Sequence, residues 1–543
     1  MKRRKFIQLS STGSLAGFML NGHVVSAFTR TKILNNISDD IIRDRSIVMI
    51  QLSGGNDGLN SVIPKNQYDK YASIRPTIRI KESGAYSGIE LDTTLGLQDQ
   101  TILHPNLLAF KELWDEGKLN IVHGVGYPQL SKSHFSGRAL MSKGGDGTDE
   151  NNNKPDGWMA RYLHSAFDHT TYQDPLGIQL GNKKPADEFH SDEEHKIDIN
   201  LSGQDAAGFY SQLSNIGNPL ANYGDMTSEY IENINFINGM EVTATNYAQR
   251  ISAVFNAGSN AVTYPQFDLA NQLKTVAKMI KGGSKTKIFL LRIDGFDNHA
   301  NQVDSQANSH LGKHADLLSE LSESIKAFQD DLEQLGIDEN VVTTTFTEFG
   351  RKPIENGNKG TDHGNLGPMF VIGTGVKPGF TGSHLSLDSF TYGGNVKHFD
   401  LDTQMQHDYR QVYASIIGDF LGASSSTMID TEFDDYDINR LNLISSPILS
   451  NPYAKATDRI SLTISPNPVE NDLMIRFRSS EWVRGGIQIH DLQGRVVENL
   501  IIDFSTGINQ IPLDLSHLSK GLYVLNIIGD TKQIIASTKL TKK

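Results

Sequence analysis

Between residues 286 and 346 the chain alternates a strand pattern, a long amphipathic helix pattern and a second strand pattern, an order that few folds accommodate. Residues 286–293 read as a buried strand. Leu311, Leu318, Leu321, Ile325, Phe328, Leu332 and Leu335 then recur at helical spacing until Gly336 stops them, and residues 341–346 form the next strand. Strand, helix, strand is a βαβ unit, which builds a mainly parallel sheet covered by helices. Upstream, Asp268 is positioned to cap a helix that carries Leu269, Leu273, Val276 and Ile280 on one face and ends at Gly282-Gly283. Residues 46–52 and 119–125 read as further buried strands. Between about residues 142 and 230 the chain is polar and rich in Asn, Gly and Asp, and reads as loops and insertions.

Ligand sites in such sheets lie beyond the carboxyl ends of the strands, so chemistry is sought in the segments that follow them. After the first strand comes Gly54-Gly55-Asn56-Asp57-Gly58. After the second, Ser131-Lys132-Ser133-His134-Phe135 opens a helix. Asp294-Gly295-Phe296-Asp297-Asn298-His299 follows the third strand. Thr347-Glu348-Phe349-Gly350-Arg351 follows the fourth, with Gly360-Thr361-Asp362-His363-Gly364 soon after. Cysteine is absent, so thiolate zinc, iron–sulfur and thiol chemistry are excluded, and imidazoles and carboxylates remain as metal ligands. Those O and N donors suit a divalent cation. Ser133 at a helix start is a candidate nucleophile, with Ser131 the alternative. Blander readings stand beside these: Asp57 serving a turn, Ser133 as an N-cap next to a partly buried His134, and Glu348 with Arg351 as a structural ion pair. Isolated histidines such as His164, His190 and His407 carry no assignment.

Lys and Arg number 50 against 63 Asp and Glu, a net charge of −13, which gives no generic attraction to nucleic acid or anionic lipid. The basic start Lys2-Arg3-Arg4-Lys5, an apolar stretch over residues 15–20 and Val25-Ser26-Ala27 read as an export signal over residues 1–27, followed by a linker over 28–45. Arg3-Arg4 with Phe6-Ile7 resembles a twin-arginine signal. Elsewhere no run approaches the roughly 20 apolar residues of a membrane span, so the processed chain is expected to be soluble. From residue 458, short β-rich runs separated by turns predict an all-β sandwich over 458–543, with a linker over 431–457.

Two resemblances follow. Ser465-Pro466-Asn467-Pro468, Asp491-Leu492-Gln493-Gly494-Arg495 and Leu518-Ser519-Lys520-Gly521-Leu522-Tyr523 resemble the C-terminal sorting domain of the type IX secretion system of Bacteroidota. This implies export through the periplasm and release or attachment at the cell surface, with the twin-arginine and type IX machineries as partners. The five motifs above, with Gly157-Trp158, resemble the bacterial domain-of-unknown-function 1501 family across residues 46–430. That family is similar to the alkaline phosphatase and sulfatase superfamily, which implies an α/β fold and two divalent metal ions: zinc, manganese or calcium. By that resemblance Asp57, Asp297, His299, Glu348, Asp362 and His363 are metal ligands, Asp294 is a substitute ligand, Ser133 is the nucleophile and Arg351 contacts an anion. The implied activity is hydrolysis of phosphate or sulfate esters, including those on glycans. The alternative is a non-catalytic surface protein that binds a glycan or a partner on the same fold.

Overall fold

The computed structural model describes residues 18–20, 23–29, 44–148, 156–167, 174–181, 187–190, 197–200, 204–205, 249–390, 404–445, 460–479, 483–491, 495–505, 507–528 and 534–543. Most of the expected export signal and part of each expected linker lie outside the described residues. The chain forms two compact units, residues 1–421 with 438–447 and residues 422–437 with 448–543.

The first unit is built on a sheet of twelve strands. At its centre are β1 (Ser46–Ser53), β2 (Leu119–Gly126), β3 (Ile288–Asp294), β4 (Val341–Phe346) and β5 (Gly367–Ile372). Strand Gly177–Leu180, β3, β1 and β4 lie side by side and all parallel, in that order. The register sets Asp294 opposite Ser53 and Phe346 opposite Gln51, so three strands release their loops at one edge. The expected parallel run is present at the centre of the sheet, but the sheet as a whole is mixed, with antiparallel pairings on either side of that run. β5 runs antiparallel between β4 and β2. Its sequence begins Gly367-Pro368 and carries no helix pattern before it, so the chain returns directly from β4 instead of crossing over.

Helices cover the sheet because their apolar stripes match its faces. In α1 (His134–Lys143), α2 (Asp268–Lys281) and α3 (Lys313–Leu335), the stripe is strongest in the last two. Leu269, Leu273, Val276 and Ile280 of α2 and Leu318, Leu321, Ile325, Phe328 and Leu332 of α3 share one buried cluster with Val48, Ile50, Leu52, Phe289 and Leu291. Fully burying a side chain of this size contributes about 1.5–3 kcal/mol. Asp268 does not cap α2: it occupies the first turn, and the Leu269 N–H donates to Glu320 of α3 at 3.0 Å. Leu311 lies outside α3, which begins after Gly312 at a φ of 102°.

Two differences concern segments read as loop or signal. Strand Gly177–Leu180 adds to the parallel run within the stretch expected to be insertions. Strand His23–Thr29, which spans the expected cleavage point, pairs antiparallel with Gly177–Leu180, and Phe18–Leu20 pairs with it in turn. An apolar extended segment satisfies the otherwise open N–H and C=O groups of that edge.

The second unit holds a three-stranded and a four-stranded antiparallel sheet. Leu473, Ile475 and Phe477 of the first and Ile487, Ile489, Leu525 and Ile527 of the second share one core, the expected sandwich. No helix of the described residues is long and apolar enough to cross a membrane.

Buried histidines make the first unit acid-sensitive. Burial lowers His104 to about 3 and His314 to about 4, holds His384 at about 4 and keeps His123 well below the ordinary imidazole range. Each folded-state value lies below the unfolded one, about 6.5, so the unfolded chain binds more protons and stability falls as pH drops below about 6.5. The expected loss is up to about 1.4 kcal/mol per pH unit for each such group. Thermal melts between pH 7 and pH 5 measure it, and His104→Gln, which removes one titrating ring, is expected to flatten the slope.

Candidate metal centre

The loops released at one sheet edge are brought together by close backbone packing. A Cβ on Gly54, whose φ is 120°, would lie 2.3 Å from the Asp297 nitrogen, and one on Gly55, φ 85°, would meet the Phe349 ring at 2.7 Å. Glycine is needed at both positions for conformation and for space. Arg351 then ties the loops together. Its guanidinium donates to the carbonyls of Gly54, Gly55 (2.8 Å), Phe296 (3.1 Å) and Thr361 (2.8 Å), and to Asp297 Oδ1 at 2.7 Å.

Asp297 is where the side chains converge. Its Oδ2 lies 3.3 Å from His134 Nε2, and its Oδ1 lies 3.1 Å from His299 Nε2 and 3.3 Å from His363 Nε2. His299 Nε2 and His363 Nε2 are 2.7 Å apart. Each imidazole turns its other nitrogen to an oxygen that accepts. His134 Nδ1 donates to Glu348 Oε1 at 2.8 Å, His363 Nδ1 donates to the Lys132 carbonyl at 2.7 Å, and His299 Nδ1 lies 3.5 Å from Asp362 Oδ1. These partners fix the tautomer, leaving every Nε2 with its lone pair toward Asp297. Phe349 packs against the rings of His134 and His363 at 4.9 and 4.5 Å.

Charge follows from the same contacts. Partial burial pushes the Asp297 carboxyl up, but the Arg351 hydrogen bond and charge, with His363 and His134, outweigh it and hold the group at about 2. Burial, aided by the charge of Arg351, lowers His363 below the ordinary imidazole range, so its ring is neutral near pH 7. Two nitrogen lone pairs facing each other at 2.7 Å repel unless a cation or a proton lies between them. His134 Nε2 is buried and has no hydrogen-bond partner. The separations of 3.1–3.3 Å from Asp297 match the donor spacing of about 3.3 Å expected around a tetrahedral ion at metal–nitrogen distances near 2.05 Å. His134, Asp297 and His363, whose donor atoms all lie within 4.8 Å of one another, therefore fit one divalent cation, with His299 against Asp297 and His363 but outside that group.

Several sequence-predicted residues stand elsewhere. Asp57 faces a different partner: its Oδ2 accepts from Arg75 Nη1 and from Gln302 Nε2, both at 2.6 Å, in a fully buried ion pair. Burial raises its pKa, but Arg75, with His314 and Gln302, together lower it by more, so the carboxyl lies below its usual range. The guanidinium already neutralises Asp57, which does not join the donor set. Glu348 orients His134 and accepts the Gly54 N–H at 3.0 Å. Asp362 faces His299 and accepts from Asn356 Nδ2 at 3.1 Å. Asp294 pairs with Arg292 at 2.6 Å. Ser133 caps α1, its oxygen accepting the Ser136 N–H at 3.5 Å. Arg351 is 3% exposed with its donors committed, so it positions the loops and does not present itself to a free anion.

His134 is the donor that the sequence reading did not assign. A signal was present: a helix that opens shortly after a parallel strand turns its first residue toward the same edge as the neighbouring loops. A second acidic group, Glu116, Asp330 and Glu333, is bridged by Lys118 and Lys326 and reads as a salt-bridge network.

Residues 44–428 match the family model described as "Protein of unknown function (DUF1501)", and residues 463–543 match "Secretion system C-terminal sorting domain". None of the curated proteins matches. Among solved structures, a Bacteroides thetaiotaomicron protein from a genetic locus for glycosaminoglycan metabolism is 8% identical over 92% of this chain and 90% of its own, with a TM-score of 0.31. A protein in the alkaline phosphatase superfamily from Vibrio parahaemolyticus is 9% identical over 99% and 91%, at 0.28. A sulfatase from Pseudoalteromonas is 11% identical over 86% and 83%, also at 0.28.

The two buried guanidinium groups are separable by mutation. Arg75→Ala leaves Asp57 as an unpaired buried charge and is expected to cost about 3–5 kcal/mol in urea denaturation while leaving bound metal unchanged. Arg351→Ala is expected to cost a similar amount and, because it frees Asp297, also to lower metal content measured by atomic emission.

Proposed function

The chain belongs to the DUF1501 family and ends in a secretion sorting domain that marks it for the cell surface or the extracellular space, and from that premise we propose that it is an exported metal-dependent hydrolase of phosphate or sulfate esters. The observation that carries the reading is the convergence of the Nε2 atoms of His134, His299 and His363 on Asp297, with His299 and His363 only 2.7 Å apart. His134, Asp297 and His363 would hold one divalent ion, zinc or manganese by donor type, with His299 beside it, where the superfamily resemblance implied two. When bound, such an ion polarises a phosphoryl or sulfuryl oxygen and stabilises the charge that develops there.

The chain's own residues prepare that chemistry. Glu348, Asp362 and the Lys132 carbonyl hold the imidazoles in the ligating tautomer. Arg351 fixes Asp297 and keeps it ionised. Ser133 is exposed and immediately precedes His134, and its oxygen makes one long capping contact, so its O–H is available to attack phosphorus or sulfur. Glycan esters enter as substrates through the extracellular destination, and the paired arginines Arg3 and Arg4 support a twin-arginine step before type IX export.

The capping role of Ser133 favours a second reading, a surface protein whose ion supports binding without catalysis. Metal analysis with an ester screen separates the two. The full-length protein is expected to carry about one ion per chain and to hydrolyse aryl phosphate or aryl sulfate, with His363→Ala losing both properties. Glu348→Gln is expected to weaken the metal about 10–100-fold. Ser133→Ala is expected to keep the metal and lose turnover. A parent that binds the ion and turns over no ester supports the binding reading, and a folded parent that takes up no ion overturns both.

A further inference from the structure

A small cavity in the first unit, with room for about 20 Å³, is lined by the segments that follow β2 and β4. A water needs about 10–15 Å³ measured in the same way, so the space admits one water and no organic ligand. Five of the lining side chains carry polar atoms: Tyr127, Thr347, Glu348, Asn365 and Tyr409.

Two of the five are committed elsewhere. Thr347 Oγ1 donates to the Leu52 carbonyl at 2.7 Å and accepts the Asn56 N–H at 3.2 Å, and the Tyr409 O–H donates to the Gly145 carbonyl at 2.7 Å. The other three each keep an unused group. Glu348 is 1% exposed; its Oε1 accepts from His134 Nδ1 and from the Gly54 N–H, while its Oε2 is buried with no hydrogen-bond partner. Asn365 Oδ1 is likewise buried and unpartnered. Tyr127 is 3% exposed, and its oxygen accepts the Ser131 N–H at 3.3 Å, which leaves its hydrogen without an acceptor among the described residues.

These unused groups are complementary. One is a donor and two are acceptors, and a water accepts one hydrogen bond while donating two. Buried waters make about three hydrogen bonds to groups of this kind, and they join polar groups that stand too far apart to bond directly. Tyr127 and Glu348 are such a pair: no hydrogen bond links them among the described residues, yet the Glu348 charge acts on the phenol. Burial, with the charges of Glu348 and Asp408, pushes the Tyr127 O–H up to about 12, so it stays protonated and able to donate. The second oxygen of a buried carboxylate is costly to leave unpaired, because it has given up its hydration.

We propose that Tyr127 is a positioning residue of the metal centre: its O–H donates to one water held in this cavity, and that water donates to Glu348 Oε2 and Asn365 Oδ1. The inference rests on the reading of His134, Asp297 and His363 as metal donors. Through the water, Tyr127 holds the Glu348 carboxylate where it receives His134 Nδ1–H, and so keeps His134 Nε2 aimed toward Asp297. Because Tyr127 acts only through Glu348, its effect on the ion disappears when that carboxylate is replaced.

A crystal structure of the unmodified protein and zinc titration of the full-length chain against a competing chelator test this. Density is expected for one water within hydrogen-bond distance of Tyr127 Oη, Glu348 Oε2 and Asn365 Oδ1. Tyr127→Phe keeps the ring and removes the donor, and is expected to weaken zinc about 3–10-fold, the worth of one hydrogen bond. The same substitution also removes the acceptor of the Ser131 N–H, so a double-mutant cycle with Glu348→Gln identifies the route. In the Glu348→Gln background, Tyr127→Phe is expected to weaken zinc no further. Penalties that add, parental zinc affinity in folded Tyr127→Phe, or a cavity without that water would each overturn the proposal. Should Tyr127→Phe fail to fold, the density decides. A parent that takes up no zinc overturns the metal reading and this role with it, whereas a parent that binds zinc as tightly as its Tyr127→Phe variant overturns this role alone.

Discussion

The candidate centre depends on a guanidinium that never reaches solvent. Arg351 draws the carbonyls of Gly54, Gly55, Phe296 and Thr361 onto one planar group, and these belong to three separate chain segments. Carbonyls crowded in this way repel one another, and a delocalised cation with donors in a fixed fork relieves all of them at once. The remaining contact, to Asp297, places a carboxylate at the point where the segments meet and keeps it charged. Lysine could not do this, because a single ammonium offers no fork. The two glycines after the first strand follow from the same arrangement, since any side chain there would occupy the space taken by Asp297 and Phe349.

This arrangement explains what the sequence made legible. Residues 46–52, 119–125, 286–293 and 341–346 announced buried strands because both faces of each are covered, which leaves nearly unbroken apolar runs. The stripes of the two long helices were equally plain. Asp297, His299 and His363 could be singled out because their loops follow strands in a parallel sheet, where side chains from distant segments meet, and the fold brings the three together. Gly367–Ile372 was not among the expected strands, and its antiparallel pairing is set by a short return from its neighbour.

The sequence-predicted residues that stand outside this convergence share a cause. Asp57 looks like a ligand in sequence, sitting in a glycine loop after the first strand, but Arg75, 18 residues away and with no local signal, reaches it at 2.6 Å. Glu348 and Asp362 belong to the centre one layer out, orienting imidazoles, and sequence spacing does not distinguish a ligand from the residue that holds a ligand. His134 was passed over because the serine before it has an ordinary role as a cap. That role is what aims the histidine: a capped helix start fixes the first-turn backbone, and with it the direction of the side chain.

The histidines show that the second nitrogen decides what an imidazole does. In His104 both are used, Nδ1 accepting the Asn106 N–H at 3.1 Å and Nε2 contacting the Ser309 carbonyl at 3.1 Å, so the ring is a closed part of the core. In His134 and His363 one nitrogen is tied to a carboxylate or a carbonyl, and the other is released as a directed lone pair. In His123 neither is used among the described residues, and the ring borders an open cleft. Burial disfavours protonation of His104, His123 and His363 alike, so burial alone does not distinguish their roles. The oxygen on the far side of the ring distinguishes them, and it comes from a residue distant in sequence, which is why the same one-letter symbol reads alike at all these positions until the chain is folded.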